Sequence, residues 1–114
     1  MKHELREQDG VTVIVLEGDV DVTGAPRLRD LLAGQIAPGT RTLLDLEGVA
    51  FVDSSGVGVL VTAHRKAAEA GAAFGLAAAS PTVSRVFELT RTNRLLSIYP
   101  TVSEGVSALA GREL

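Results

Sequence analysis

Residues 43–61 read LLDLEGVAFVDSSGVGVLV, and at the centre of this apolar stretch stand a carboxylate and two adjacent hydroxyls, Asp53, Ser54 and Ser55, followed at once by Gly56. Those side-chain types at the end of a strand-like run allow three kinds of chemistry: a serine nucleophile, an oxygen-rich ligand site, or a hydroxyl that another enzyme modifies. A purely structural role is the alternative. Asp and Ser are favoured helix N-caps worth about 1 kcal/mol each, because their oxygens accept the free amides of the first turn. One cap needs one residue, and three in a row exceed it. Gly56 and Gly58 each cost up to about 1 kcal/mol of helix propensity relative to alanine, which points either to packing against a sheet or to close approach by another chain.

A nucleophile needs a base, and neither histidine supplies one. His3 lies at the N-terminus, and His64 falls more than two turns along the following helix, on its apolar stripe. The flanking glycine pattern of a hydrolase nucleophile elbow is also missing from FVDSSGVG. The glycines do not form a dinucleotide or P-loop fingerprint, and Asp19, Asp21 and Asp53 would repel phosphate. Their spacing does not match a calcium loop. Modification of a serine by a partner enzyme is a further option. A phosphoryl group would bring nearly two negative charges to a helix N-terminus that tolerates them, and repulsion from nearby carboxylates would weaken a bound partner.

The elements around this turn follow from periodicity and turn chemistry. HELREQ, the Asp9-Gly10 turn and VTVIVLE read as an edge strand, a hairpin turn and a buried strand from Val11 to about Glu17. After the loop GDVDVTGAP, Leu28, Leu31, Leu32 and Ile36 share a helical face, with Thr23 or Asp21 as the expected cap and Pro26 in the first turn. RTLLDLEGVAFV is a strand centred on Leu43 to Leu46, and SSGVGVLVTAHRKAAEA a helix that stops at Gly71. AAFGLAAA, SPTVSRVFELT with Ser80 as its cap, LLSIYP and TVSEGVSALA complete a β-β-α-β-α-β-α-β-α order. Single-helix crossovers make most of the sheet parallel. Parallel strands put their carboxyl ends on one edge, where Asp19, Asp21, Asp53, Ser54, Ser55 and Ser80 would converge.

Composition narrows the functional classes. The 114 residues fit one domain spanning 1–114, with 46% hydrophobic and 22% charged residues. The net charge is -3 and the eleven Lys and Arg are scattered, apart from Arg85, Arg91 and Arg94, so a basic nucleic-acid groove is not expected. There is no cysteine, and the charged MKHELREQDG start is no signal peptide. The longest apolar run, Ala70 to Ala79, is about half the ~20 residues of a spanning helix, so a cytoplasmic, soluble protein without membrane attachment is expected.

Three segments, VIVLEGDVDVTGAPRLRDLL, LLDLEGVAFVDSSGVGVLVTAHRKA and ASPTVSRVFELT, resemble in order and spacing the STAS domain of bacterial anti-sigma factor antagonists. The likeness covers nearly the whole chain, and the ordered set carries it. It implies a single α/β domain with a mixed β-sheet and helices packed largely on one side. It also implies partner switching without catalysis or a cofactor. The unphosphorylated antagonist binds an anti-sigma factor serine kinase and so frees a sigma factor; the kinase phosphorylates the second serine of the motif, and a serine phosphatase restores it. By position the phosphorylated serine is Ser55, with Asp53 and Ser54 shaping the site, Asp21 in the neighbouring acidic loop, and Gly56, Val57 and Val59 as partner contacts. Family members often carry a glycine where this chain has LTRTNRLL, and Asn93 is expected to take that turn. The alternatives keep the fold and change the role to a scaffold subunit of a signalling complex or a component of a lipid or anion transport system; a serine hydrolase is a third. Monomer and weak dimer both fit, since an edge strand permits pairing.

Overall fold

Asp9 and Gly10 both adopt positive φ, 53° and 80°, the mirror-image turn that suits a right-twisted hairpin. In the computed structural model, which describes residues 1–114, this turn folds β1 (Lys2–Gln8) back onto β2 (Val11–Val20). The chain continues through α1 (Ala25–Gln35), β3 (Arg41–Val52), α2 (Ser54–Ala70), β4 (Ala73–Ala77), α3 (Pro81–Leu89), β5 (Ile98–Tyr99) and α4 (Val102–Ala110). The sheet order is β1-β2-β3-β4-β5, antiparallel only between the first two strands, so each crossover carries the chain one strand further from the hairpin. The expected mixed α/β sheet is therefore present.

Alternation along the strands divides the core in two. Ile14, Leu16, Leu44, Leu46, Phe74 and Leu76 pack with Leu28, Leu32, Leu60, Val83 and Phe87 of the first three helices. Their neighbours Val11, Val13, Leu43, Ala73 and Ala77 pack with Val106 and Leu109 of α4. Three helices thus cover one face and the last helix crosses to the other. Arg41 ties α4 down at its end, donating from Nη1 to the carbonyls of Leu109 at 3.2 Å and Arg112 at 2.9 Å.

Two local expectations are corrected. The cap of α1 is Gly24 rather than Thr23 or Asp21. Asp21 acts just ahead of the helix, its Oδ1 accepting the amides of Thr23 at 3.0 Å and Gly24 at 3.1 Å, a local turn that competes with capping. Beyond α3 the left-handed residue is Arg91, at φ 59°, and Asn93 lies inside the single 3₁₀ turn Thr92–Arg94. Gly71 does hold the left-handed cap of α2, at φ 67°.

Thr42 is fully buried on the three-helix face, and its hydroxyl has no hydrogen-bond partner in the protein. Valine has nearly the same shape and removes that unpaired group. Thr42→Val is expected to raise unfolding stability by about 1 kcal/mol, read from the urea midpoint at unchanged slope. A lower midpoint would show that the hydroxyl contributes to the native fold.

Candidate functional site

The serine turn sits where β2 and β3 outrun the rest of the sheet. The last β4 partner of β3 is Asp45, opposite Ala77, whereas the β2–β3 ladder continues to Val20 opposite Val52. Over that extension β3 carries two residues more than β2: Val15 pairs with Asp45, Glu17 with Gly48, and Asp19 with Phe51. The extra residues form bulges, which bend a strand and re-aim the residues beyond them. Asp45, 6% exposed, holds the first of them by accepting the amide of Glu47 on Oδ1 at 3.0 Å.

Past Val52 the chain turns into α2. The amide of Asp53 donates to the carbonyl of Val20 at 3.3 Å, joining the two strand ends. The Asp53 side chain is the N-cap, accepting the amide of Gly56 on Oδ1 at 3.1 Å. One residue therefore does the capping. Ser54 and Ser55 open the helix, with Ser54 exposed and Ser55 half-buried, and both hydroxyls are left out of the capping bonds.

Each expected site residue has a definite place. Asp19, Asp21 and Asp53 all flank the paired ends of β2 and β3, so these carboxylates and the two serines share one edge. Ser80 does not join them. Strand β4 ends level with Asp45, well short of Val52, and the Ser80 hydroxyl accepts the amide of Val83 at 3.2 Å as the cap of α3. Two of the expected partner contacts move to the interior. Val57 is 6% exposed and belongs to the core cluster of the three-helix face. Gly56 is buried, and a Cβ there would lie 2.5 Å from the carbonyl oxygen of Val20. Val59 is half-buried beside α1, in a shallow crevice with Leu32, Ala33 and Ile36.

Gly58 is the opposite case to Gly56. It is exposed, and a Cβ added there would meet nothing within 4 Å. Ser54 and Gly58, four residues apart, lie on the same exposed stripe of α2. Two apolar side chains stand nearby in sequence and open to solvent: Phe51, 45% exposed, and Val22, 70% exposed. Neither is singled out by periodicity. The signal for Phe51 is its position two residues before Asp53, one strand step out of phase with buried Val52.

His64 is half-buried nine residues after Ser55, about 13 Å along the helix axis, too far to take a proton from either serine. No group of three acidic, histidine or cysteine side chains converges to hold a metal ion, and no helix is long and apolar enough to cross a membrane. What the edge offers is a small acidic surface with two free hydroxyls, an open glycine and exposed apolar groups.

The two glycines separate packing from surface roles. Gly56→Ala is expected to lower stability by about 1–3 kcal/mol through the clash with Val20. Gly58→Ala should raise it by up to about 1 kcal/mol through helix propensity alone. Asp53→Ala should cost about 1 kcal/mol and Asp53→Asn much less, since asparagine also caps. Urea denaturation of the four variants checks all three statements, and a stable Gly56→Ala protein would refute the packing assigned to the turn.

Comparison with known proteins fits this architecture. The family model of the STAS domain matches residues 2–105. An anti-sigma-B factor antagonist of Bacillus subtilis is 25% identical over 103 residues, covering 90% of this chain and 94% of that protein. A candidate anti-sigma factor antagonist of Thermotoga neapolitana is 33% identical over 72 residues, 63% of this chain and 64% of that protein, so the match spans just under two thirds of that relative. Among solved structures, an anti-sigma-factor antagonist (STAS) domain protein of Planctomyces limnophilus superposes with a TM-score of 0.84 at 26% identity, covering 96% of this chain and 98% of that one. With its sheet order, its serine turn and a family match over nearly its whole length, this chain belongs to the STAS domain family.

Proposed function

We propose that this protein is an anti-sigma factor antagonist that binds an anti-sigma factor serine kinase through the edge around Asp53, Ser54 and Ser55, and that phosphorylation of Ser55 releases it. A serine phosphatase then returns it to the binding form. The observation that carries this reading is the division of labour in the turn: Asp53 supplies the cap, and the serine hydroxyls remain free at a helix N-terminus. The relatives named as anti-sigma factor antagonists support the partner class.

The electrostatics run in the required direction. A phosphoryl group on Ser55 adds nearly two charges beside Asp53 and in the neighbourhood of Asp19 and Asp21. The helix N-terminus offsets part of that by about 0.3–1 kcal/mol, so the free protein stays folded. A docked partner faces the added charge directly, and a loss on the order of 1–4 kcal/mol there lowers affinity about ten- to a thousandfold. Gly58 fits the same picture. It weakens the helix without a packing reason in the free chain, as expected where a partner backbone comes close.

The test pairs the protein with candidate serine kinases, with and without ATP, and reads intact mass, phosphosite and retention in a pull-down. The parent should gain one phosphate on Ser55 and dissociate. Ser55→Ala should bind and stay bound when ATP is added, and Ser55→Asp should bind about ten- to a thousandfold more weakly from the start. Gly58→Ala should fold more stably and bind less well. If Ser55→Ala and Ser55→Asp both bind like the parent, the switch is wrong and a scaffold role within the same fold takes its place.

A further inference from the structure

The outer edge of the sheet carries a pattern that the serine turn does not use. Strand β1 has a partner on one side only, and Lys2 to Glu7 are all exposed, so no loop or helix covers its free edge. The two-residue turn closes on Gln8 and Val11, which makes that pair a hydrogen-bonded one. By alternation, Lys2, Glu4, Arg6 and Gln8 direct their backbone groups to β2, while those of His3, Leu5 and Glu7 point away from the sheet. Edges of this kind are a template for another strand, and natural proteins guard them with charge.

Here the guarding charges are self-complementary. We infer that β1 pairs antiparallel with β1 of a second copy of this chain, in the register that sets Leu5 opposite Leu5, joining the two sheets into one. A two-fold axis through such a pair keeps the faces of the sheet, so a residue can only oppose one of the same parity. That leaves few registers. With Leu5 at the centre, Glu4 faces Arg6 twice, His3 faces Glu7 twice and Lys2 faces Gln8. A shift of the axis by one residue toward the N-terminus sets Glu4 against Glu4 and Lys2 against Arg6; a shift the other way sets Arg6 against Arg6. Like charges directly opposite are destabilising, which disfavours both shifts, and moving the axis further, to His3 opposite His3, shortens the paired segment.

The same register satisfies the backbone. His3, Leu5 and Glu7, whose amides and carbonyls point outward, then meet only one another across the axis. Glu4 and Arg6 fall on the non-hydrogen-bonded positions, where opposing side chains stand closest. Both are unpaired within the chain: the structure contains one ion pair, Arg29 with Asp30, and the β2 neighbours of Glu4 and Arg6 are Val15 and Val13. A single strand pair is small beside the roughly 1,200–2,000 Å² of stable interfaces, so the dimer is weak and forms with rising concentration.

Charge exchange tests the register directly. Sedimentation equilibrium of the parent from micromolar to millimolar concentration should show a monomer–dimer equilibrium. Glu4→Arg and Arg6→Glu should each weaken it about tenfold or more, because both symmetric pairs turn repulsive. The double variant should recover the parent behaviour, and an equimolar mixture of the two single variants should dimerise better than either alone. Amide exchange at His3, Leu5 and Glu7 should slow in the dimer. Urea denaturation of each variant, unchanged because Val15 and Val13 carry no charge, separates this result from misfolding. A parent that stays monomeric at millimolar concentration, or a dimer indifferent to either reversal, would overturn the pairing.

Discussion

The carbonyl oxygen of Val20 fixes the serine turn. It accepts the amide of Asp53 at 3.3 Å, and it leaves no room for a Cβ on residue 56. These two contacts set where the first turn of α2 can lie. Asp53 must leave β3 at the level of the last residue of β2, and the helix must then pass directly over that strand end. Everything distinctive at this edge depends on that close approach: the loop carrying Asp21 beside the turn, the cap from Asp53 to Gly56, and the outward stripe on which Ser54 and Gly58 stand. A side chain at position 56 would lift the helix, and the serines with it.

The bulges of β3 make the approach possible. Between the Val15–Asp45 and Val20–Val52 pairs, β3 uses seven residue steps where β2 uses five. A regular ladder would bring the chain to Val20 two residues early, with Phe51 and its neighbours displaced along the edge. The buried Asp45 stabilises the first irregularity through its bond to Glu47, and Gly48 lets β2 pass close, since a Cβ there would meet the carbonyl oxygen of Leu16 at 2.8 Å. A carboxylate eight residues upstream of the turn thereby takes part in aiming it.

Much of this fold was legible in the residues. The hairpin turn at Asp9-Gly10, the stop at Gly71, and the Ser80-Pro81 start of α3 each rest on one local conformational rule, and each holds. What was not legible depends on contacts between distant segments. The face chosen by α4 follows from Val106 and Leu109 meeting Val11, Val13 and Leu43, which helical periodicity alone cannot assign. Gly56 and Val57 look like surface residues of a recognition turn because they adjoin Ser55, yet helical phase turns them toward the sheet. Ser80 looks like a further member of the edge because all parallel strands end on one side. Their unequal lengths, visible only in the pairing register, leave it behind. The exposure of Phe51 and Val22 is hidden as well: local pattern marks them as apolar and does not say that no other element covers them.

The separation of capping from free hydroxyls bears on how a switch can work without unfolding the protein. Had Ser55 been the N-cap, its oxygen would accept an amide of the first turn, and modification would disturb a bond worth about 1 kcal/mol to the fold. Asp53 holds that bond instead, one residue outside the helix and two before Ser55. A charge added on Ser55 then acts on its surroundings through space: it is favoured by the helix terminus and opposed by the carboxylates, so the two contributions partly cancel in the free chain. The cancellation fails when a partner covers the turn, because burial strengthens the repulsion and leaves the new charge without water. The effect of modification is thus concentrated on the bound state, and that asymmetry, rather than any strain in the domain, is what would make this edge a reversible docking surface.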